Sequence, residues 1–233
     1  MEYPIRIGKY LAHKGYASRR GATEMIKQGL VTINRKKAVV TDIVEERDKV
    51  AVARVSQRSY VYYAYHKPKG IISVTSDGGD ESIEQRIKCD HGVLGVFPIG
   101  RLDKDSTGLI ILTNDGRITG KLLDPDKKHE KEYRVTVHKP LKSNFTRLME
   151  RGVDIEGYVT KPCIVKVTGE QSFSIILTEG KKHQIRRMCM NLGYTVTRLK
   201  RVRIGAIKLG ALKVGQLRKV TREELAPLLP RPV

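Results

Sequence analysis

One stretch constrains this chain more than any other: Gly100-Arg101-Leu102-Asp103-Lys104-Asp105-Ser106-Thr107-Gly108-Leu109-Ile110-Ile111-Leu112-Thr113-Asn114-Asp115-Gly116. A charged loop bounded by glycines leads into four consecutive aliphatic residues, and an Asn-Asp-Gly turn follows them. A short apolar run between turn signals reads as a buried strand. Such a strand needs other layers packed around it, which a chain of 233 residues can supply. A loop anchored on it is a firm platform for a positioned carboxylate, so Asp103 is the first candidate for chemistry. Aspartates in loops also cap turns or pair with a nearby arginine.

Further short strands are predicted at Val61 to Tyr65, Ile71 to Val74, Tyr133 to Val137, Ile164 to Val167 and Phe173 to Leu177. Helical spacing appears at Ser82 to Ile87, Arg117 to Leu123, Asn144 to Glu150 and Lys182 to Leu192. A last helix is expected from Thr221 to Leu229, where Thr221 and Glu224 form a capping box. Strands and helices mix without regular alternation, which predicts α+β with a largely antiparallel sheet.

The first 55 residues read as a separate unit. A helix opens at Ile7 and stops near Gly15. Ser18 is placed to cap a second helix over Arg19 to Gln28, with Ala22, Met25 and Ile26 on one face. Val31 to Ile33 and Lys49 to Val52 read as strands, with a turn at Asn34-Arg35-Lys36. Arg54 to Ser59 is a short polar linker, and residues 60–233 form the second domain.

Charge narrows the partner. Lys and Arg number 45 against 25 Asp and Glu, a formal net of +20. That excess favours a polyanion, because each phosphate contact releases condensed counterions. From Lys181 to Lys219 there are twelve basic residues and no acidic one, threaded with apolar residues, which reads as folded structure with a basic face. No apolar run approaches the ~20 residues of a membrane helix, and no signal-peptide core is visible, so the chain is expected to be cytoplasmic. Cys89, Cys163 and Cys189 lie far apart and the histidines lack ligand spacing, so neither a disulfide framework nor a metal site is expected.

Two sets of residues carry a resemblance. Ala17-Ser18-Arg19-Arg20 and Ile26-Lys27-Gln28-Gly29-Leu30-Val31-Thr32-Ile33-Asn34 resemble an αL-type RNA-binding domain, although that family has Gly where Arg35 stands. The segment from Gly100 to Gly116 resembles the catalytic loop of the ribosomal-RNA pseudouridine synthases of the RsuA/RluB/RluE/RluF family, most of all its RluF branch. His66-Lys67-Pro68-Lys69-Gly70, Lys131-Glu132-Tyr133-Arg134-Val135 and Glu179-Gly180-Lys181-Lys182-His183-Gln184-Ile185-Arg186-Arg187-Met188 extend the likeness, with His66 where the family has Asn.

The resemblance implies an enzyme that detaches uracil from its ribose, rotates the base and rejoins it through carbon 5, without a cofactor. It implies that Asp103 is the catalytic carboxylate, acting either as nucleophile or as base. It implies that Tyr133 packs against the target base and that Arg186 pairs with Asp103, Arg187 being the rival for that role. Arg6, Lys9, Arg19, Arg20, Lys27, Arg101, Lys181, Lys182 and Arg187 are the expected RNA contacts. The expected partner is a structured loop of ribosomal RNA, most of all large-subunit RNA, bound by a monomer. The alternative is a non-catalytic RNA-binding or ribosome-assembly factor on the same fold.

Overall fold

A computed structural model of the chain describes residues 3–14, 16–17, 19–53, 60–75, 79–123 and 129–227. Two compact units emerge: residues 1–61 with 114–121, and residues 62–113 with 122–233.

The N-terminal unit runs β1 (Ile5–Arg6), α1 (Ile7–His13), α2 (Arg19–Lys27), β2 (Val31–Ile33), β3 (Lys36–Lys37), β4 (Ile43–Val44) and β5 (Val50–Val52). Ile7 and Leu11, one helical turn apart, are buried, which leaves Lys9 exposed on the other side of α1. Ala22, Met25 and Ile26 join them in the core, as the spacing predicts. Strand β2 pairs antiparallel with β3 and β5. Asn34 and Arg35 turn between β2 and β3 with φ of 49° and 69°, the mirror-image turn that a tight hairpin requires. The proposed stop at Gly15, cap at Ser18 and linker at 54–59 lie outside the described residues.

The second unit contains β6 (Tyr62–Lys67), α3 (Ile83–His91), β7 (Phe97–Ile99), β8 (Thr107–Thr113), β9 (Lys131–Val137), α5 (Phe145–Glu150), β10 (Ile164–Gly169), β11 (Ser172–Leu177), α6 (Gln184–Asn191), β12 (Val196–Ile204), β13 (Ile207–Lys208), β14 (Leu217–Lys219) and α7 (Arg222–Leu225); α4 (Arg117–Leu123) follows β8 in the chain. One sheet runs β10-β11-β9-β12-β8-β6-β14, with β13 on β12 and β7 on β8. Its pairings are antiparallel except for β12 with β8. The fold is therefore α+β on a mixed, mostly antiparallel sheet.

Residues Leu109 to Leu112 are fully buried. On the other half of the sheet, Val135, Val137, Phe173, Ile175 and Leu199 meet Phe145, Ile185 and Met188 of α5 and α6 in one core. Thr221 and Glu224 form the expected capping box. Two expectations differ. Ile71 to Val74 makes only an isolated bridge, because Ser73 uses its hydroxyl on a neighbouring loop. Strand β12, the longest in the sheet, lies inside the basic stretch, where the sequence predicts no strand because its Val and Leu residues are not spaced in regular alternation along its whole length.

Candidate active site

The loop between β7 and β8 carries Asp103, and its backbone is held by an unusual number of side chains. The buried Ser73 hydroxyl donates to the Leu102 carbonyl at 2.7 Å and accepts from the Leu102 amide at 2.8 Å. Lys67, with no exposed surface, donates from Nζ to the carbonyls of Ser106 (2.9 Å), Pro68 (3.0 Å) and Lys104 (3.3 Å). The amide of Gly70 also donates to the Lys104 carbonyl at 2.9 Å. Burial pushes the Lys67 ammonium down to about 8, against the pull of Asp103 and Asp105.

A second cation grips the neck of the loop. Arg201 of β12 is 4% exposed and donates to the carbonyls of Leu109 (2.8 Å) and Arg101 (3.3 Å), at either end of the loop. Arg201 also pairs with Gly108 on one side and Tyr133 on the other. This register sets Tyr133 two strands, about 10 Å, from the point where the loop enters β8. Tyr133 shares the α6 side of the sheet with Val135 and Val137 and is partly buried. Arg203, one pleat further along β12, bridges Glu132 and Glu130 at 2.9 Å each and fixes the start of β9.

Arg186 projects from α6 to the same loop. Its guanidinium donates to the Asp105 carbonyl (3.4 Å), the Ser106 hydroxyl (3.5 Å) and the Val196 carbonyl (3.2 Å). The expected ion pair between Arg186 and Asp103 is not among the contacts of the described residues, since the guanidinium is taken up by these three oxygens. The ring of His183, at the start of α6, stands there instead, with Nε2 3.6 Å from Asp103 Oδ1. The Asp103 side chain is 35% exposed, open enough for a substrate to reach. Arg187 points elsewhere, donating to the Ile155 carbonyl at 2.9 Å and pairing with Glu156 at 2.6 Å.

The structure thus brings Asp103, Arg186, His183 and Lys67 to one loop, with Tyr133 nearby in the sheet. Arg101, Lys181 and Lys182 are exposed, and Lys181 stacks its ammonium 4.2 Å from the ring centre of Tyr158. Arg6, Lys9 and Lys27 are exposed on the N-terminal unit, where Arg19 and Arg20 open α2. Sequence reasoning assigned no role to His183, Lys67 or Arg201. The first two sit inside motifs already singled out, but Arg201 had no signal beyond its charge. Chemically, the arrangement presents the Asp103 carboxylate, beside the His183 ring, on a loop whose backbone cannot easily shift; the loop's other carboxylate, Asp105, is more exposed and lies 3.9 Å from Lys69.

Comparison with known proteins identifies relatives of both units. Residues 61–191 match the family model described as RNA pseudouridylate synthase, and residues 5–50 match the S4 domain. The dual-specificity RNA pseudouridine synthase RluF of Escherichia coli K12 is 43% identical over 229 residues, covering 96% of this chain and 78% of the relative. Ribosomal large subunit pseudouridine synthase B of Bacillus subtilis is 37% identical over 215 residues, covering 84% of each. A crystal structure of a pseudouridylate synthase superposes with a TM-score of 0.71 at 28% identity, covering 97% of this chain and all of the other.

Proposed function

The chain belongs to the RNA pseudouridine synthase family, whose members are isomerases, and it carries an N-terminal S4 domain; from this we propose that it converts one uridine of ribosomal RNA, in the large subunit, to pseudouridine by means of Asp103 and without a cofactor. The observation that carries the residue assignment is the loop itself. Asp103 is the more sheltered of two carboxylates, Asp105 being paired with Lys69, on a segment held at Arg101, Leu102, Lys104, Asp105, Ser106 and Leu109 by buried or partly buried side chains.

A carboxylate so placed serves either as nucleophile at the ribose or as the base that takes a ribose proton, and both roles need its charge. The His183 ring stands 3.6 Å from the carboxylate, and the cationic groups of Lys67 and Arg186 hold the loop that carries it. Tyr133 supplies an aromatic face for a pyrimidine turned out of its stack. The atoms of uridine and pseudouridine are the same, so no redox partner enters the balance. Residues 1–55 act as the RNA-anchoring domain and 60–233 as the catalytic domain of a cytoplasmic monomer. Arg6, Lys9, Arg19, Arg20 and Lys27 contact RNA from the first, and Arg101, Lys181 and Lys182 from the second. The likeness to ribosomal large subunit pseudouridine synthase B of Bacillus subtilis supports the choice of large-subunit ribosomal RNA.

The test is tritium release from large-subunit ribosomal RNA labelled at uracil carbon 5, with and without EDTA on prefolded RNA. Release with sustained turnover in EDTA is expected. A folded protein that binds the RNA but releases no tritium would favour the non-catalytic assembly factor.

A further inference from the structure

The half of the sheet formed by β12, β9, β11 and β10 has two unlike faces. One is the core side, where Val135, Phe173, Ile175 and Leu199 pack under α5 and α6 and where Tyr133 lies. Strand alternation sends the intervening residues to the opposite face. There, register places Lys200 of β12 opposite Arg134 of β9, Arg134 opposite Ser174 of β11, and Ser174 opposite Lys166 of β10. Arg198 stands opposite Thr136 in the next position. Arg134, Lys166 and Arg198 are exposed and Lys200 is half-buried.

The cations of this row have no ion-pair or side-chain hydrogen-bond partner among the described residues. Glu132, the carboxylate that shares their face on β9, is held by Arg203 at 2.9 Å. Like charges directly opposite one another across strands oppose folding. Lys200 and Arg134 are nonetheless paired in that way, with Ser174 between Arg134 and Lys166 and Thr136 opposite Arg198. Strands spaced about 4.8 Å apart spread the row over roughly 14 Å. A line of lysine and arginine interleaved with Ser and Thr donors matches the sugar-phosphate backbone of a nucleic acid, which supplies successive anions and acceptors.

We propose that the sheet face opposite the catalytic loop is a second RNA-binding surface, on which Lys200, Arg134, Lys166 and Arg198 hold phosphates of the substrate RNA away from the reacting uridine. The proposal rests on the reading of RNA as substrate and extends it to a surface outside the catalytic site. Its function is anchoring: a folded ribosomal RNA reaches round the edge strand β10 and is held on both faces. Because the row lies across the sheet from Asp103 and Tyr133, it contributes to affinity and not to the chemical step.

The experiment compares wild type with the combined variant Arg134→Gln, Lys166→Gln and Arg198→Gln, in the full chain, on a large-subunit ribosomal RNA transcript. Affinity is measured between 50 and 200 mM salt, and tritium release at saturating RNA. Removing one cation from a phosphate shallows the plot of log affinity against log salt by about 0.7–0.9, so the slope should fall by roughly 2–3 and affinity at least tenfold. The saturated rate should stay within twofold. An unchanged slope and affinity would overturn the proposal, as would a lower saturated rate at unchanged affinity. If the triple variant does not fold, Lys166→Gln on the edge strand and Arg198→Gln are read singly, each expected to shallow the slope by the share of a single phosphate. A wild type that binds with the expected slope difference yet releases no tritium would defeat the proposed reaction and leave this surface standing.

Discussion

Gly108 is the position where one added carbon should do most damage. It opens the parallel pairing of β8 with β12 at a φ of +111°, a backbone state that L side chains rarely adopt. A Cβ built there would lie 2.2 Å from the Arg201 carbonyl oxygen and 2.6 Å from its amide nitrogen. Real contacts of this kind are not closer than 3.0 Å, so the two strands must part by at least about 0.8 Å. Holding alanine in this conformation costs about 1–3 kcal/mol. Losing one or two ladder hydrogen bonds adds about 1 kcal/mol each. Gly108→Ala should therefore destabilise the second unit by about 2–5 kcal/mol, read as a lower urea midpoint at unchanged slope. The same shift moves Arg201, and with it both ends of the loop that carries Asp103. A displacement of nearly 1 Å at a reacting group costs on the order of a hundredfold in rate. Tritium release, assayed well below the unfolding midpoint, should fall by that factor with RNA affinity retained. Stability within about 0.5 kcal/mol of wild type, together with wild-type turnover, would refute the reasoning.

Three other changes separate the parts of the account. Arg35→Gly removes a side chain from a left-handed position and should raise stability by about 0.5–1 kcal/mol, less than the full relief because glycine also loosens the unfolded chain; a lower thermal midpoint would contradict it. Lys67→Met keeps the bulk but takes their Lys67 donor from the carbonyls of Ser106 and Pro68 and leaves Lys104 only the Gly70 amide, so saturated turnover should drop at least tenfold with RNA affinity within threefold. Because the Lys67 ammonium titrates at about 8, wild-type turnover should also decline as the pH rises through that value, a limb that Lys67→Met should lack. Arg186→Leu should damage turnover more than Arg187→Leu, since only the former grips the catalytic loop; the reverse order in folded variants would move the role to Arg187.

What the sequence made legible was local. The aliphatic run at Leu109 to Leu112, the spacing of Ala22, Met25 and Ile26, and the Thr221–Glu224 box each report on neighbours a few residues away, and each stands where expected. Strand β12 was hidden because four of its nine residues are cations, two of them (Arg201 and Arg203) turned inward to hold other groups, so its pattern resembles a charged surface segment. Its partners are also distant in sequence, β9 on one side and β8 on the other. Asp103, Tyr133 and Arg186 were named through motif likeness, yet their geometry depends on contacts spanning tens of residues. The proximity of His183 to Asp103 and the reach of Arg201 to Arg101 and Leu109 are products of the sheet order, which no local pattern encodes. Ser73 illustrates the same point: a segment with strand composition is diverted to hold Leu102.

In the proposed reaction the charge of Asp103 performs the chemistry while other residues bind the RNA. Asp103→Asn changes one oxygen to nitrogen in a side chain that is 35% exposed, so the fold and the phosphate contacts should hardly alter. With large-subunit ribosomal RNA labelled at uracil carbon 5, tritium release should fall below detection while RNA affinity stays within about tenfold, or roughly 1.4 kcal/mol. Release by Asp103→Asn at the wild-type rate would contradict the account.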